Sequence, residues 1–211
     1  MGERFRDREV VFANGVRGEN VEIPSANPRN YWQAISDPAA MPRLSIDGKL
    51  FVPKGEPDRF PVVVIVPGSL SIAASHLSHA ETLVDMGIAA FVLDPFGARG
   101  VTSTVANQAQ FSFAASAYDV AAAVRVLADH PALDRDRIGL QGHSRGGSAA
   151  LTGVTRLFCE TVHARGLCVR AVLAAYPWCG HQFLDPDVGA TEVRVIVGDQ
   201  DDWVSPQQAQ G

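Results

Sequence analysis

The sequence predicts an α/β protein: a mostly parallel central sheet with helices on both faces and an antiparallel N-terminal edge. Three observations carry that prediction. Residues 62–66 form an unbroken β-branched run, Val-Val-Val-Ile-Val, as expected of a central strand covered on both faces. From there onward apolar runs alternate with helical patterns, the signature of strand–helix–strand units. Residues 138–147, Ile-Gly-Leu-Gln-Gly-His-Ser-Arg-Gly-Gly, then pass from an apolar run into glycines around one serine, as at a sharp strand-to-helix turn.

Taken in order, the strand at 62–66 ends in Pro67-Gly68-Ser69-Leu70, and residues 76–86 carry apolar side chains at helical spacing until Gly87 stops them. Residues 89–93 are the next strand, ending at Asp94-Pro95. Residues 111–129 are the longest helix, alanine-rich, with Tyr118, Val120, Val124 and Leu127 on its apolar face and His130-Pro131 closing it. A strand at 137–141 and a helix at 147–154 flank the serine. Two more strands are expected at 171–176 and 193–197, and a helix near Pro206.

The first 58 residues read differently. Short strand candidates at 10–12, 21–23 and 49–52 are expected to form the antiparallel edge. Residues 24–45 are expected to be irregular, because Pro24, Pro28, Pro38 and Pro42 break any helix, and to border the functional site. All 211 residues are read as one domain, with 1–58 as its edge strands and irregular loop.

Composition narrows the function classes. A net charge of −5, with no basic stripe, argues against nucleic acid, and no apolar run reaches membrane-spanning length. The charged N-terminus lacks the apolar segment of a secretion signal, and a cytoplasmic location is expected. Cys159, Cys168 and Cys179 are odd in number and contain no C-x-x-C pair, so they read as small buried hydrophobes in a reducing compartment. No cofactor is expected. His76 and His79, three apart on a short helix without a distant third ligand, read as a helix face rather than a metal site.

Gly142-His143-Ser144-Arg145-Gly146 fits the G-x-S-x-G nucleophile elbow. There a strained turn holds the serine hydroxyl clear of the backbone, and a side chain two residues before or after it would collide with the neighbouring strand or helix. A glycine-rich phosphate cradle is the competing reading, but no Walker lysine or G-x-G-x-x-G accompanies the motif.

With Pro67-Gly68-Ser69 after the third strand, Asp94-Pro95-Phe96-Gly97-Ala98-Arg99-Gly100 after the fourth, and Gly198-Asp199-Gln200-Asp201-Asp202-Trp203-Val204 near the end, the chain from about residue 45 resembles the α/β-hydrolase superfamily, within it the dienelactone hydrolase-like family. The resemblance implies Ser144 as nucleophile and Asp201, the aspartate of G-x-x-D, as the acid that orients an imidazole. Asp199 and Asp202 remain alternatives, one of them free to cap the following helix. It implies an oxyanion hole from the backbone N–H of Arg145 and that of Ser69, with Leu70 as alternative. Arg99 stands where the family holds a substrate carboxylate. A structural ion pair is the competing role for that side chain, and Arg145's own guanidinium is expected to pair with a nearby acid. The chain departs from the namesake enzymes in carrying serine rather than cysteine as nucleophile.

In this fold the histidine follows the acid in chain order, and none follows Asp201. The chain is therefore expected to stop short of the last strand and helix and of the histidine loop. The alternative is recruitment from His76, His79, His130, His143, His163 or His181. Of these, His181 after a strand end is the readiest substitute, and His143 is expected to pack beneath the turn. The function these residues imply is a serine hydrolase of small esters or lactones. A peptidase-like hydrolase of the same fold and a catalytically silent binding module are the rivals. The expected partner is a small-molecule ester or lactone, without nucleic acid or membrane, and with homo-oligomerisation left open.

Overall fold

The computed structural model describes residues 4–162, 167, 169–181 and 183–210; His163 and Cys168 lie outside them. Among the described residues, seven strands form one sheet: β1 (Glu19–Ala26), β2 (Arg43–Phe51), β3 (Phe60–Val66), β4 (Ala89–Asp94), β5 (Leu133–His143), β6 (Val169–Ala175) and β7 (Glu192–Ile196). Their spatial order is β1-β2-β4-β3-β5-β6-β7. β1 pairs antiparallel with β2 and β2 antiparallel with β4, whereas every pair from β4 through β3, β5 and β6 to β7 is parallel.

The helices are α1 (Tyr31–Ser36), α2 (Ala74–Asp85), α3 (Phe113–Ala128), α4 (Arg145–Gly153), α5 (Arg156–Val162) and α6 (Pro206–Gln210). A strand points alternate side chains to opposite faces, so the continuous apolar runs of β3 and β4 feed two cores at once. Val62, Val64, Val66, Phe91 and Leu93 pack with α3 and α4 on one face. Val63, Ile65, Ala90 and Val92 pack with Ala80 and Val84 of α2 on the other, where Phe5 and Phe12 of the N-terminal segment close the core. Among the described residues, no helix is long and apolar enough to cross a membrane.

Four expectations need correction. The strand at 10–12 is reduced to a single bridge between Val11 and Arg17. β1 and β2 are longer than their sequence cores, and β1 runs through Pro24, which a sheet edge tolerates because one side of the strand needs no donor. Residues 24–45 are also not irregular throughout. α1 fits between Pro28 and Pro38 because the Asn30 side chain accepts the Gln33 N–H at 2.9 Å, and Pro38–Ala40 form a 3-10 turn. The cysteines described, Cys159 and Cys179, are half-buried rather than fully buried.

Candidate active site

Ser144 lies between the last residue of β5 and the first of α4, with φ 51° and ψ −118°. That is the left-handed region, unfavourable for a side-chain-bearing residue and kept only where surroundings over-determine it. The surroundings do so here. The Ser144 N–H donates to Ala175 O at 2.9 Å and the Ser148 N–H donates to Ser144 O at 3.1 Å. A Cβ on Gly142 would lie 2.3 Å from Gly146 O, and one on Gly146 would lie 2.3 Å from Val66 O and 2.5 Å from Pro67 O. The turn closes only because both positions lack side chains. Gly146→Ala is therefore expected to cost about 3 kcal/mol, the upper end for overpacking. Gly139→Ala in the same strand, whose added methyl meets nothing nearer than 3.5 Å, is expected to cost less than about 1 kcal/mol. Urea denaturation of the two variants measures the difference.

Ser144 opens onto two adjoining cavities. One, of about 250 Å³, is bounded by Ser69, Gln108, Phe113, Arg145, Trp178 and Trp203. The other, of about 320 Å³, is bounded among others by Gly68, Leu70, His76, His143, Tyr176 and Asp201. Among the described residues, the backbone amides of Ser69, Leu70 and Arg145 donate to no protein group, and Arg145 opens α4, where the first N–H groups of a helix have no intrahelical acceptor. The Ser69 carbonyl is fixed by the Thr104 N–H at 2.8 Å and Ser103 Oγ at 3.1 Å. The Ser69 hydroxyl meets the Gln108 amide at 3.0 Å. Gln108 has no sequence signature. It joins the two residues named for the oxyanion hole, because Arg145 Nη1 also donates to Gln108 Oε1 at 3.1 Å.

Asp201 is half-buried and lines the second cavity together with Ser144. Its Oδ1 accepts the N–H groups of Trp203 and Val204, each at 2.9 Å, which fixes the carboxylate. Asp199 and Asp202 are exposed and line neither cavity.

The two arginines depart from expectation. Arg99 does not face the cavities. Its side chain is 4% exposed, with Nη1 donating to Asp119 Oδ2 at 2.7 Å and to Pro95 O at 2.6 Å, and Nε donating to Asn27 Oδ1 at 2.7 Å. A guanidinium so enclosed has no room for a substrate carboxylate, and the structural ion pair is the role it fills. Among the described residues, Arg145 pairs with no acid. Its Nε donates to Ser116 Oγ at 3.1 Å, Nη1 to Gln108 O at 3.0 Å and Nη2 to Phe111 O at 2.6 Å, while its plane lies over the rings of Phe111 and Phe113. Burial pushes its pKa down to about 10, so it stays charged at neutral pH.

Of the histidines, His76 and His143 border Ser144. Among the described residues neither is hydrogen-bonded to the Ser144 hydroxyl. His76 Nδ1 accepts the Ala73 N–H at 2.9 Å. The His143 ring is buried against His76 (centroids 4.8 Å), His79 (5.4 Å) and Tyr176 (6.0 Å), near Gln141. His181, the substitute named from sequence, instead sits against Tyr31, Phe113 and Trp178 and lines neighbouring cavities, not those of Ser144. His130 precedes β5 and so lies at the opposite end of the sheet from Ser144.

Burial pushes His143 down to about 4, and the neighbouring His76 and His79 act the same way. The folded ring is therefore neutral where an unfolded one takes a proton, below about 6.5. Stability is expected to be fully present above that pH, to fall as pH drops toward 4, and to level off below, losing roughly 3 kcal/mol in all from this group. His143→Gln should flatten this part of the pH–stability profile. Parallel profiles for the two proteins would remove His143 as the cause.

A model of the prolyl oligopeptidase family matches residues 74–168, which is less than half of the chain. No curated protein matches the chain in sequence. Among solved structures, the dienelactone hydrolase-like promiscuous phosphotriesterase P91 from metagenomic libraries is similar over 92% of this chain and 74% of its own, with 19% identity and a TM-score of 0.58. Est1E from Butyrivibrio proteoclasticus is similar over 79% of each chain, with 17% identity and a TM-score of 0.58. Dipeptidyl peptidase 4 of Porphyromonas gingivalis is similar over 92% of this chain but 29% of its own, with 17% identity and a TM-score of 0.60. With this sheet order and the β5–Ser144–α4 turn at its centre, the chain has the α/β-hydrolase fold.

Proposed function

We propose that the protein is a serine hydrolase of small esters or lactones, with Ser144 as nucleophile. The observation that carries this reading is the strained Ser144 turn, set between two cavities beside the unbonded amides of Ser69 and Arg145. Ser144 Oγ attacks the ester carbonyl and gives its proton to an imidazole. The carbonyl oxygen, now negative, takes hydrogen bonds from the two amides, each worth about 3 kcal/mol in the transition state. The C–O bond of the ester then breaks and the alcohol leaves with the proton. Water, deprotonated by the same imidazole, attacks the acyl-enzyme and releases the acid. Asp201 orients that imidazole and stabilises its charged form.

His76 is unsuited, because a neutral ring that accepts a hydrogen bond at Nδ1 carries its proton on Nε2 and has no lone pair left for the serine. His143 is unsuited because a base with a pKa near 4 takes a proton poorly at neutral pH. The imidazole this step requires is therefore supplied by neither His76 nor His143 as they stand.

The match to the prolyl oligopeptidase family favours a second reading, hydrolysis of a peptide bond at the same serine. Incubating the full-length protein with a fluorophosphonate, a p-nitrophenyl ester and a prolyl p-nitroanilide separates the readings. Phosphonylation of Ser144 with ester turnover is the expected result. Faster anilide than ester turnover would replace the esterase reading, and an unlabelled Ser144 with neither substrate turned over would leave a binding module.

A further inference from the structure

The two cavities beside Ser144 differ in chemistry. Trp203 and Val204 line both; the smaller adds the rings of Phe113 and Trp178, whereas the larger adds Leu70, Val105 and Tyr176 together with His76, His143 and Asp201. We infer that the smaller cavity is the acyl subsite and that it takes an uncharged aromatic ring, so that the substrates are neutral esters of aryl-bearing acids. The assignment of acyl and alcohol sides rests on Ser144 as nucleophile; the aromatic binding does not.

The wall is built for a flat apolar group. The rings of Phe113 and Trp178 lie 4.7 Å apart at 34°, and His181 braces both from behind with centroids at 5.4 and 4.8 Å. The exposed Trp203 stands at the junction of the two cavities. An aromatic guest gains from such faces beyond the area it buries. An apolar cavity of about 150 Å³ admits benzene, so about 250 Å³ accepts a phenyl ring with a short linker.

Charge argues the same way. Arg145 is the charged side chain of this cavity, and its guanidinium is held by Ser116, Gln108 and Phe111 and stacked on Phe113 at 4.2 Å. Arg99 is enclosed with Asp119. A substrate carboxylate placed here would give up its water without gaining a free cation. The direction of the substrate follows from Asp201, which lines the larger cavity and not the smaller. The imidazole it orients must protonate the leaving oxygen, so the alcohol occupies the larger cavity and the acyl group the smaller.

Binding of phenylacetamide to Ser144→Ala protein, followed by tryptophan fluorescence and by saturation-transfer NMR, tests the subsite without any chemistry. Trp178→Ala in that background is expected to raise Kd by about tenfold, and Trp178→Phe, which keeps an aromatic face, to restore most of the loss. A ring bearing a para-carboxylate is expected to bind at least about tenfold more weakly than the amide. Unchanged binding after Trp178→Ala in a protein with an unaltered melting curve, or tighter binding of the carboxylated ring, would overturn the subsite. If phenylacetamide binds as described but Ser144 resists phosphonylation, the subsite stands and the nucleophile fails. In turnover, p-nitrophenyl phenylacetate is expected to exceed p-nitrophenyl acetate in kcat/KM by about tenfold or more. The reverse preference in a protein that binds the ring would place the ring on the alcohol side.

Discussion

Ser144→Ala is expected to lower kcat for p-nitrophenyl ester hydrolysis by on the order of 10⁶, while leaving the thermal unfolding midpoint almost unchanged. Both halves of that expectation follow from the turn. Alanine at φ 51° suffers the same backbone strain as serine, so no new strain enters, and the hydroxyl makes no hydrogen bond among the described residues that folding would miss. The chemistry loses its attacking atom altogether. What remains is whatever the amides of Ser69 and Arg145 achieve on a water molecule, about 10³–10⁴ over the uncatalysed rate in comparable sites. Residual turnover within tenfold of the parent protein would remove Ser144 from the reaction and direct attention to another nucleophile.

The largest stability effect is expected far from the serine. Asp119 is fully buried in α3. Its Oδ1 accepts from Ser25 Oγ at 2.5 Å and from Arg99 Nη2 at 3.2 Å, and its Oδ2 accepts from Arg99 Nη1 at 2.7 Å. Burial raises the pKa of this carboxyl, and the opposing pull of Arg99 and Ser25 offsets that only in part. Asp119→Ala leaves an enclosed guanidinium without its anion and is expected to cost about 3–5 kcal/mol by urea denaturation. The double variant Arg99→Met with Asp119→Leu, which removes both charges, is expected to recover most of that cost. If Arg99→Ala unfolds no more easily than the parent but raises KM for carboxylated esters, Arg99 contacts substrate after all.

The legibility of this site in sequence followed the distances along the chain over which each feature is encoded. β3 and β4 were readable because burial on two faces demands an unbroken apolar run. The Ser144 turn was readable because its steric constraint falls on Gly142 and Gly146, two residues to either side. α1 was hidden because six residues between prolines are too few for a periodic pattern, and its stability comes from the Asn30 cap. Arg99 was ambiguous because the deciding partner, Asp119, lies twenty positions away on a helix whose alanine-rich face gave no sign of a buried acid. The cavity walls were the least readable. Gln108 and Phe113, Trp178 and Trp203 come from three segments that only the completed sheet brings together.

Arg145 has a mechanical consequence. In the proposed reaction this residue offers its amide to the substrate carbonyl, and its guanidinium clamps the carbonyls of Gln108 and Phe111 on the facing loop. The Gln108–Phe111 loop and the Ser144 turn are thereby bolted together. Discrimination among guests then comes from a preset mould, and a substitution that loosened the bolt would broaden the range accepted while slowing every turnover.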